Sequence, residues 1–313
     1  MNYNTVLSWR NDKIMLTPKQ KKDLDFILDF IKVGDALGMG FEYTSREYIE
    51  NNFKDVDQFY PHPIWKETIK PGMYTDDTQM SMALVSLMGE RNETEWFDDR
   101  VVAAAFLNEF KKDPRYGYSK ALQNILISSR DWVDFLNQIR SHGDKSLKNG
   151  GCMRAVPLGV LDSLELAKRF GRFQAEITHK DSAVDAAEMV AVAAWFLYNA
   201  DHRKDDSKSL NAFVKANTPW FPELFRKQEY IPVGPDHKHV GMLTAQTAIA
   251  IAGEVIDKRC WSYGMEMVMD IGGDTDTVAA IVSGLWACYL CTMRPSARMH
   301  YHKEIDGLLT QIK

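Results

Sequence analysis

Apolar residues return every three to four positions along most of this chain. Leu24, Ile27, Leu28 and Ile31 stand at i, i+3, i+4 and i+7, and so do Met80, Ala83, Leu84 and Leu87. Ala183, Ala186, Ala187, Val190, Ala194 and Leu197 carry the same rhythm further. Ala245, Ala248, Ile249 and Ala252 repeat it, as do Val278, Ile281, Val282 and Leu285. Strand-type alternation is scarce and the punctuation of βαβ units is absent, so the expected fold is all-α. The many alanines on these faces predict closely packed helices.

A length of 313 residues allows two domains or one large one. Lysine and arginine total 38 against 43 aspartates and glutamates, a net charge of −5, which makes nucleic acid an unlikely partner. The apolar run Val278–Met293 is interrupted by Ser283, Gly284 and Thr292 and is too short to span a bilayer, so no membrane partner is expected. The stretch from Met1 to Lys13 lacks a signal-type apolar segment, and the expected location is the cytoplasm. Residues 1–20 precede the first clear helix and read as a flexible arm, with 21–313 as one domain. Proline-bearing stretches from about Asn51 to Tyr74 and from about Asn217 to His239 read as long loops of the lid or binding type. Cys288 and Cys291 form a CxxC with no second ligand pair, so buried thiols are expected there. The pairs His237/His239 and His300/His302 lack further zinc ligands and are discounted.

Two oxygen-rich clusters stand out, each just before a helix. Thr75-Asp76-Asp77-Thr78 precedes a helix expected from Gln79, and Gly272-Gly273-Asp274-Thr275-Asp276-Thr277 precedes one expected from Val278. Helix capping explains a single Thr-Asp pair. Each cluster, however, holds more oxygens than one helix start can use, and adjacent carboxylates repel unless a cation offsets them. Brought together, they would offer four carboxylates and several hydroxyls, the donor set of hard cations such as Mg²⁺ or Mn²⁺. A site shared by segments so far apart argues for a single domain. Three further stretches carry polar or glycine signals. Asn149-Gly150-Gly151 is either a turn between helices or a cradle for an anion. Gly34, Gly38 and Gly40 interrupt a good helix ahead of Glu42, through close helix contact or a bendable segment. His179 lies ahead of the alanine-rich helix, where a surface or core histidine is the commoner case.

In combination, the stretches GDALGMGFE (34–42), YTDDTQM (74–80), NGGCMRAVPLG (149–159), THKDSAVDAA (178–187) and GGDTDTVAAIVSG (272–284) resemble the ADP-ribosylglycohydrolase family. This is the group of ADP-ribosylarginine hydrolase and the dinitrogenase-reductase-activating glycohydrolase. The resemblance implies a compact orthogonal multi-helix bundle around two Mg²⁺ or Mn²⁺ ions. It places Thr75, Asp76 and Asp77 on one ion, and Asp274, Asp276 and Thr277 on the other, with Asp276 bridging. Glu42 matches the acidic residue of a mobile segment over the metals. Ser146, Asn149, Gly150 and Gly151 match the loop that cradles the pyrophosphate, and His179 a ligand-contacting histidine. Ser146-Leu147-Lys148 departs from the glycine or aromatic residues of many relatives, and Cys152 replaces an alanine.

The activity implied is hydrolysis at C1″ of the distal ribose of an ADP-ribosylated protein, with arginine as the expected acceptor and Asp77 or Glu42 as general base. The alternative is a toxin-immunity protein that neutralises an ADP-ribosyltransferase toxin, by reversing its modification or by binding it through the N-terminal arm with Tyr3, Trp9 and Arg10.

Overall fold

The computed structural model describes residues 15–142, 145–201, 203–219 and 240–313. It is all-α: fourteen α-helices and no β-sheet are found among the described residues, with one isolated parallel bridge between Ser146 and His179. The helices are α1 (Pro18–Gly38), α2 (Arg46–Asn52), α3 (Asp76–Glu90), α4 (Glu93–Trp96), α5 (Asp99–Lys112), α6 (Lys120–Ser128) and α7 (Trp132–Ser141). They continue as α8 (Leu164–Glu176), α9 (Ser182–Tyr198), α10 (Ser207–Asn217), α11 (Val240–Lys258), α12 (Trp261–Ile271), α13 (Thr275–Leu290) and α14 (Pro295–Leu309).

Helix α1 opens with a capping box, in which the Thr17 hydroxyl accepts from Gln20 N–H while the Gln20 side chain accepts from Thr17 N–H. Pro18 follows at the first helical position, where its missing N–H is not needed. The buried Gln20 amide donates to Val160 O and to Asp162. Residues 17–20 therefore belong to the packed body rather than to the arm expected over 1–20. Tyr3, Trp9 and Arg10 lie outside the described residues, as do Asp236–His239 and most of the second expected loop. Helices α3 and α13 begin at Asp76 and Thr275, three residues ahead of the expected starts, so both acidic clusters ride on the first helical turn.

Every residue of α13 is buried, and α1 packs along it antiparallel. Gly34 of α1 meets Ala279, and Gly38, nearer the C-terminus of α1, meets Thr275 and Asp276. A Cβ on Gly34 would lie 2.8 Å from the Ala279 carbonyl carbon, and one on Gly38 would lie 2.6 Å from Asp276 Cα. The glycines that interrupt α1 thus allow its backbone to touch that of α13. Gly34→Val is expected to lower stability by about 2–4 kcal/mol, because rigid backbone has to move. An unchanged urea midpoint would contradict this packing.

The alanine-rich α9 and α11 close the core around α13, with α8 outside α9. Helix α11 is long and apolar enough to cross a membrane, but 78% of that window is buried inside the protein, so its apolar surface is used in the core. Cys152, Cys288 and Cys291 are buried free thiols, and burial pushes Cys291 up to about 12.

Candidate active site

The N-termini of α3 and α13 meet the C-terminal end of α1. Neither helix start is capped by its own side chain. For α3 the caps come from α1: the fully buried Asp35 carboxylate accepts from Thr75 N–H at 3.0 Å and Thr78 N–H at 3.0 Å. It also accepts from the hydroxyls of Thr75 at 2.8 Å and Thr78 at 2.6 Å. Asp35 thereby leaves the carboxylates of α3 free for another partner.

Five buried carboxylates converge there. Oxygens of Asp35, Asp77 and Asp276 lie within 4.8 Å of one another, and so do oxygens of Glu42, Asp274 and Asp276. Asp276 is common to both triads. Asp77 Oδ1 is buried with no hydrogen-bond partner, a costly state for a carboxylate oxygen unless a cation or donor completes it. The donor set is all oxygen, so a hard divalent cation fits each triad.

The hydroxyl of Thr75 lies 3.4 Å from Asp77 Oδ2, and Thr277 stands one residue beyond Asp276 in the first turn of α13. Asp274 accepts from Tyr43 Oη at 2.6 Å and Asn149 Nδ2 at 2.9 Å. Asp76 stands outside both triads. Its carboxylate packs beneath Gly117, whose φ of +106° and missing Cβ allow the approach.

Burial raises the pKa of Asp35 to about 6, against the opposing pull of its threonine donors. Glu42, Asp76, Asp77 and Asp276 are pushed well above the usual carboxylate range, first by burial and then by the charges of neighbouring carboxylates, Asp35 and Asp274 among them. Lys148 acting on Glu42 and Arg154 acting on Asp76 offset this only in part.

Because these carboxyls bind protons more tightly folded than unfolded, their contribution is full below about pH 4 and is lost as pH rises through about 6 and beyond. His62 and His179, both lowered by burial, act with the opposite sign. A cation competes with protons for the cluster. Mn²⁺ should therefore raise the unfolding temperature by several degrees at about pH 7.5 and by much less at about pH 5. Thermal melts with and without Mn²⁺ check this, and equal shifts at both pH values would contradict it.

The acidic cluster forms one wall of a cavity of about 570 Å³, a volume within the usual range for small-molecule sites. Ser146, Asn149, Gly150 and His179 line the same cavity. Ser146 N–H donates to Thr178 O, and Lys180 N–H donates to Ser146 O, which fixes this loop against the residue pair 178–179. Gly150 lies against the His179 ring. Gly151 is buried against Ala175 and Ala187, away from the cavity lining, so it serves helix packing there. His179 Nδ1 pairs with Thr178 Oγ1 at 2.8 Å, and burial followed by the Arg154 charge keeps the ring neutral.

Several residues not singled out from the sequence complete the site. Buried Arg154 ties the loop together, donating to Gly150 O at 2.7 Å, to Gln174 O and to Thr178 Oγ1. Asp35 caps the start of α3 and Tyr43 holds the Asp274 carboxylate, and the part-exposed rings of Tyr43, Trp65 and Tyr116 also line the cavity. Asp35 lies inside the Gly34–Gly38 stretch and Arg154 inside 149–159, but nothing in their spacing shows which groups they meet.

Residues 32–292 match the family model described as ADP-ribosylglycohydrolase. The chain belongs to the ADP-ribosylglycohydrolase family. It is thus a member of a hydrolase family. A chicken (Gallus gallus) protein named ADP-ribosylhydrolase ARH3 is 37% identical over 306 residues, covering 82% of each chain. The mouse (Mus musculus) protein of that name is 29% identical over 296 residues, covering 90% of this chain and 73% of its own. An uncharacterized protein of Archaeoglobus fulgidus is 32% identical over 270 residues, covering 82% of this chain and 83% of its own. A solved chain described as an ADP-ribosylglycohydrolase-related protein complex shares the fold at a TM-score of 0.55 and 23% identity, covering 95% of this chain and all of that one.

Proposed function

We propose that this ADP-ribosylglycohydrolase family member hydrolyses the bond between C1″ of the distal ribose of ADP-ribose and a protein side chain. Arginine is the acceptor expected from the resemblance, and two divalent cations, Mg²⁺ or Mn²⁺, complete the acidic cluster. The observation that carries this reading is the pair of buried triads sharing Asp276 and opening into the cavity. The names of the chicken and mouse relatives, each an ADP-ribosylhydrolase, support the hydrolysis of an ADP-ribosyl bond and do not bear on the acceptor.

Asp35, Asp77 and Asp276 would hold one cation, and Glu42, Asp274 and Asp276 the other, with the Thr75 and Thr277 hydroxyls beside them. Bound there, such cations supply Lewis acidity and offset the carboxylate charge. The remaining chemistry belongs to the chain's own groups. Positive charge grows on the ribose as the glycosidic bond lengthens, and the surrounding carboxylates stabilise it. The unpartnered Asp77 oxygen or the Glu42 carboxylate takes the proton of the attacking water. Ser146, Asn149 and the Gly150 backbone receive the pyrophosphate, and the neutral His179 ring stands beside them. The Trp65 and Tyr116 rings shield the cavity from water. The protein acts in the cytoplasm in this reading. The immunity alternative leans on the arm over residues 1–20, of which 1–14, with Tyr3, Trp9 and Arg10, lie outside the described residues.

The test is release of ADP-ribose from arginine-, serine- and aspartate-linked peptides, with Mg²⁺ and with EDTA. Metal-dependent release from the arginine-linked peptide is expected. Release from the serine-linked peptide alone would replace the acceptor and leave the reaction. No release from any of the three would overturn the reading.

A further inference from the structure

The peptide joining Glu42 to Tyr43 is held at both polar ends. Its carbonyl accepts from His62 Nε2 at 2.9 Å, and its N–H donates to Gly273 O at 2.7 Å. Tyr43 has a φ of 51°, a left-handed conformation that a residue with a side chain adopts only when its surroundings enforce it. The two tethers come from opposite sides. Gly273 precedes α13, and His62 belongs to the proline-bearing stretch between α2 and α3.

His62 is fully buried and uses both ring nitrogens. Nδ1 accepts from the N–H groups of Ile64 and Trp65, each at 3.0 Å, and so caps the turn that begins at Pro63. With Nδ1 accepting, the ring hydrogen sits on Nε2 and points at Glu42 O, so the partners fix the tautomer. The Trp65 ring stacks on the imidazole, with centroids 4.3 Å apart and planes 17° from parallel. Trp65 and Glu42 both line the cavity. One imidazole therefore joins the cavity's acidic wall to an aromatic residue of its lining.

We propose that His62 is a positioning residue. By pinning the Glu42–Tyr43 peptide it sets the Glu42 carboxylate beside Asp274 and Asp276, and it couples that placement to the Trp65 turn. Its effect on turnover rests on the hydrolase reading, whereas the tether itself does not.

Two substitutions separate the halves of this device. His62→Asn keeps an acceptor where Nδ1 stands and loses the reach to Glu42 O, while His62→Gln keeps a donor near Nε2 and loses the cap. In cation-free protein, amide exchange at Tyr43 should accelerate about tenfold or more in His62→Asn, with Ile64 and Trp65 still protected. His62→Gln should show the reverse pattern. In the release assay, His62→Asn should lower kcat about tenfold in the presence of Glu42 and less than about twofold in a Glu42→Gln background. His62→Gln should retain most of the turnover. Unchanged Tyr43 exchange in His62→Asn overturns the proposal, as does an equal loss of kcat in both backgrounds. A wild-type protein that releases no ADP-ribose removes the hydrolase reading alone, and the exchange pattern still decides the tether.

Discussion

Asp276→Ala is expected to lower ADP-ribose release by about a thousandfold or more while the helices stay folded. Asp276 is the one carboxylate common to both triads, so its loss opens both candidate cation sites together. Its structural duties are slight. Its Oδ1 accepts from the neighbouring Thr277 N–H at 2.9 Å, and α13 is anchored along its whole buried length. Removing it also takes away a carboxyl whose pKa burial and the charges of Glu42, Asp274 and Asp77 push well up. The cation-free variant should therefore unfold at the wild-type temperature or above it near neutral pH. Release assays and thermal melts on the same preparation check both halves. Activity within tenfold of wild type would contradict the assignment, and a collapsed fold would assign Asp276 a structural role.

Asp35→Ala is expected to fail differently, losing stability as well as activity. Four donors converge on Asp35, and two of them are backbone N–H groups, those of Thr75 and Thr78 at the start of α3. Thr75 and Thr78 are fully buried, so the lost carboxylate leaves their donors without a protein partner there. Leaving such groups unpaired costs about 1–3 kcal/mol each, which predicts a loss of about 3–5 kcal/mol in urea unfolding. The raised pKa of Asp35, about 6, records the desolvation that these donors only partly offset. A loss below about 1 kcal/mol would show that α3 holds its own N-terminus. The contrast between the two variants matters more than either alone. Both sit in one triad, yet one carboxylate is free for a ligand and the other is also a helix cap supplied from another helix.

This contrast also shows what was legible in the sequence. The helices were, because burying one face of a helix forces a 3.6-residue period. Leu24, Ile27, Leu28 and Ile31 are all buried as that period requires. The acidic clusters at 75–77 and 274–277 were visible because they exceed what capping needs. Their exact helical register was not, since Thr-Asp-Asp and Asp-Thr-Asp carry no apolar period, and both helices start three residues early. The roles of Asp35, Tyr43 and Arg154 were hidden for a further reason. Asp35 meets a residue 40 positions away and Tyr43 one 231 positions away, and spacing along the chain does not encode such meetings. Gly150 and Gly151 form one motif in the sequence, yet one lines the cavity and the other packs on Ala175, a division that only the fold makes.

In the proposed function, Asp276 joins two cation sites in one cluster. Manganese bound per chain, counted by titration and read by electron paramagnetic resonance, tests it most directly. Two Mn²⁺ per wild-type chain with a spin-coupled signal are expected, and loss of that coupling in Asp276→Ala. No tight Mn²⁺ binding, or two uncoupled ions that persist in Asp276→Ala, would contradict it.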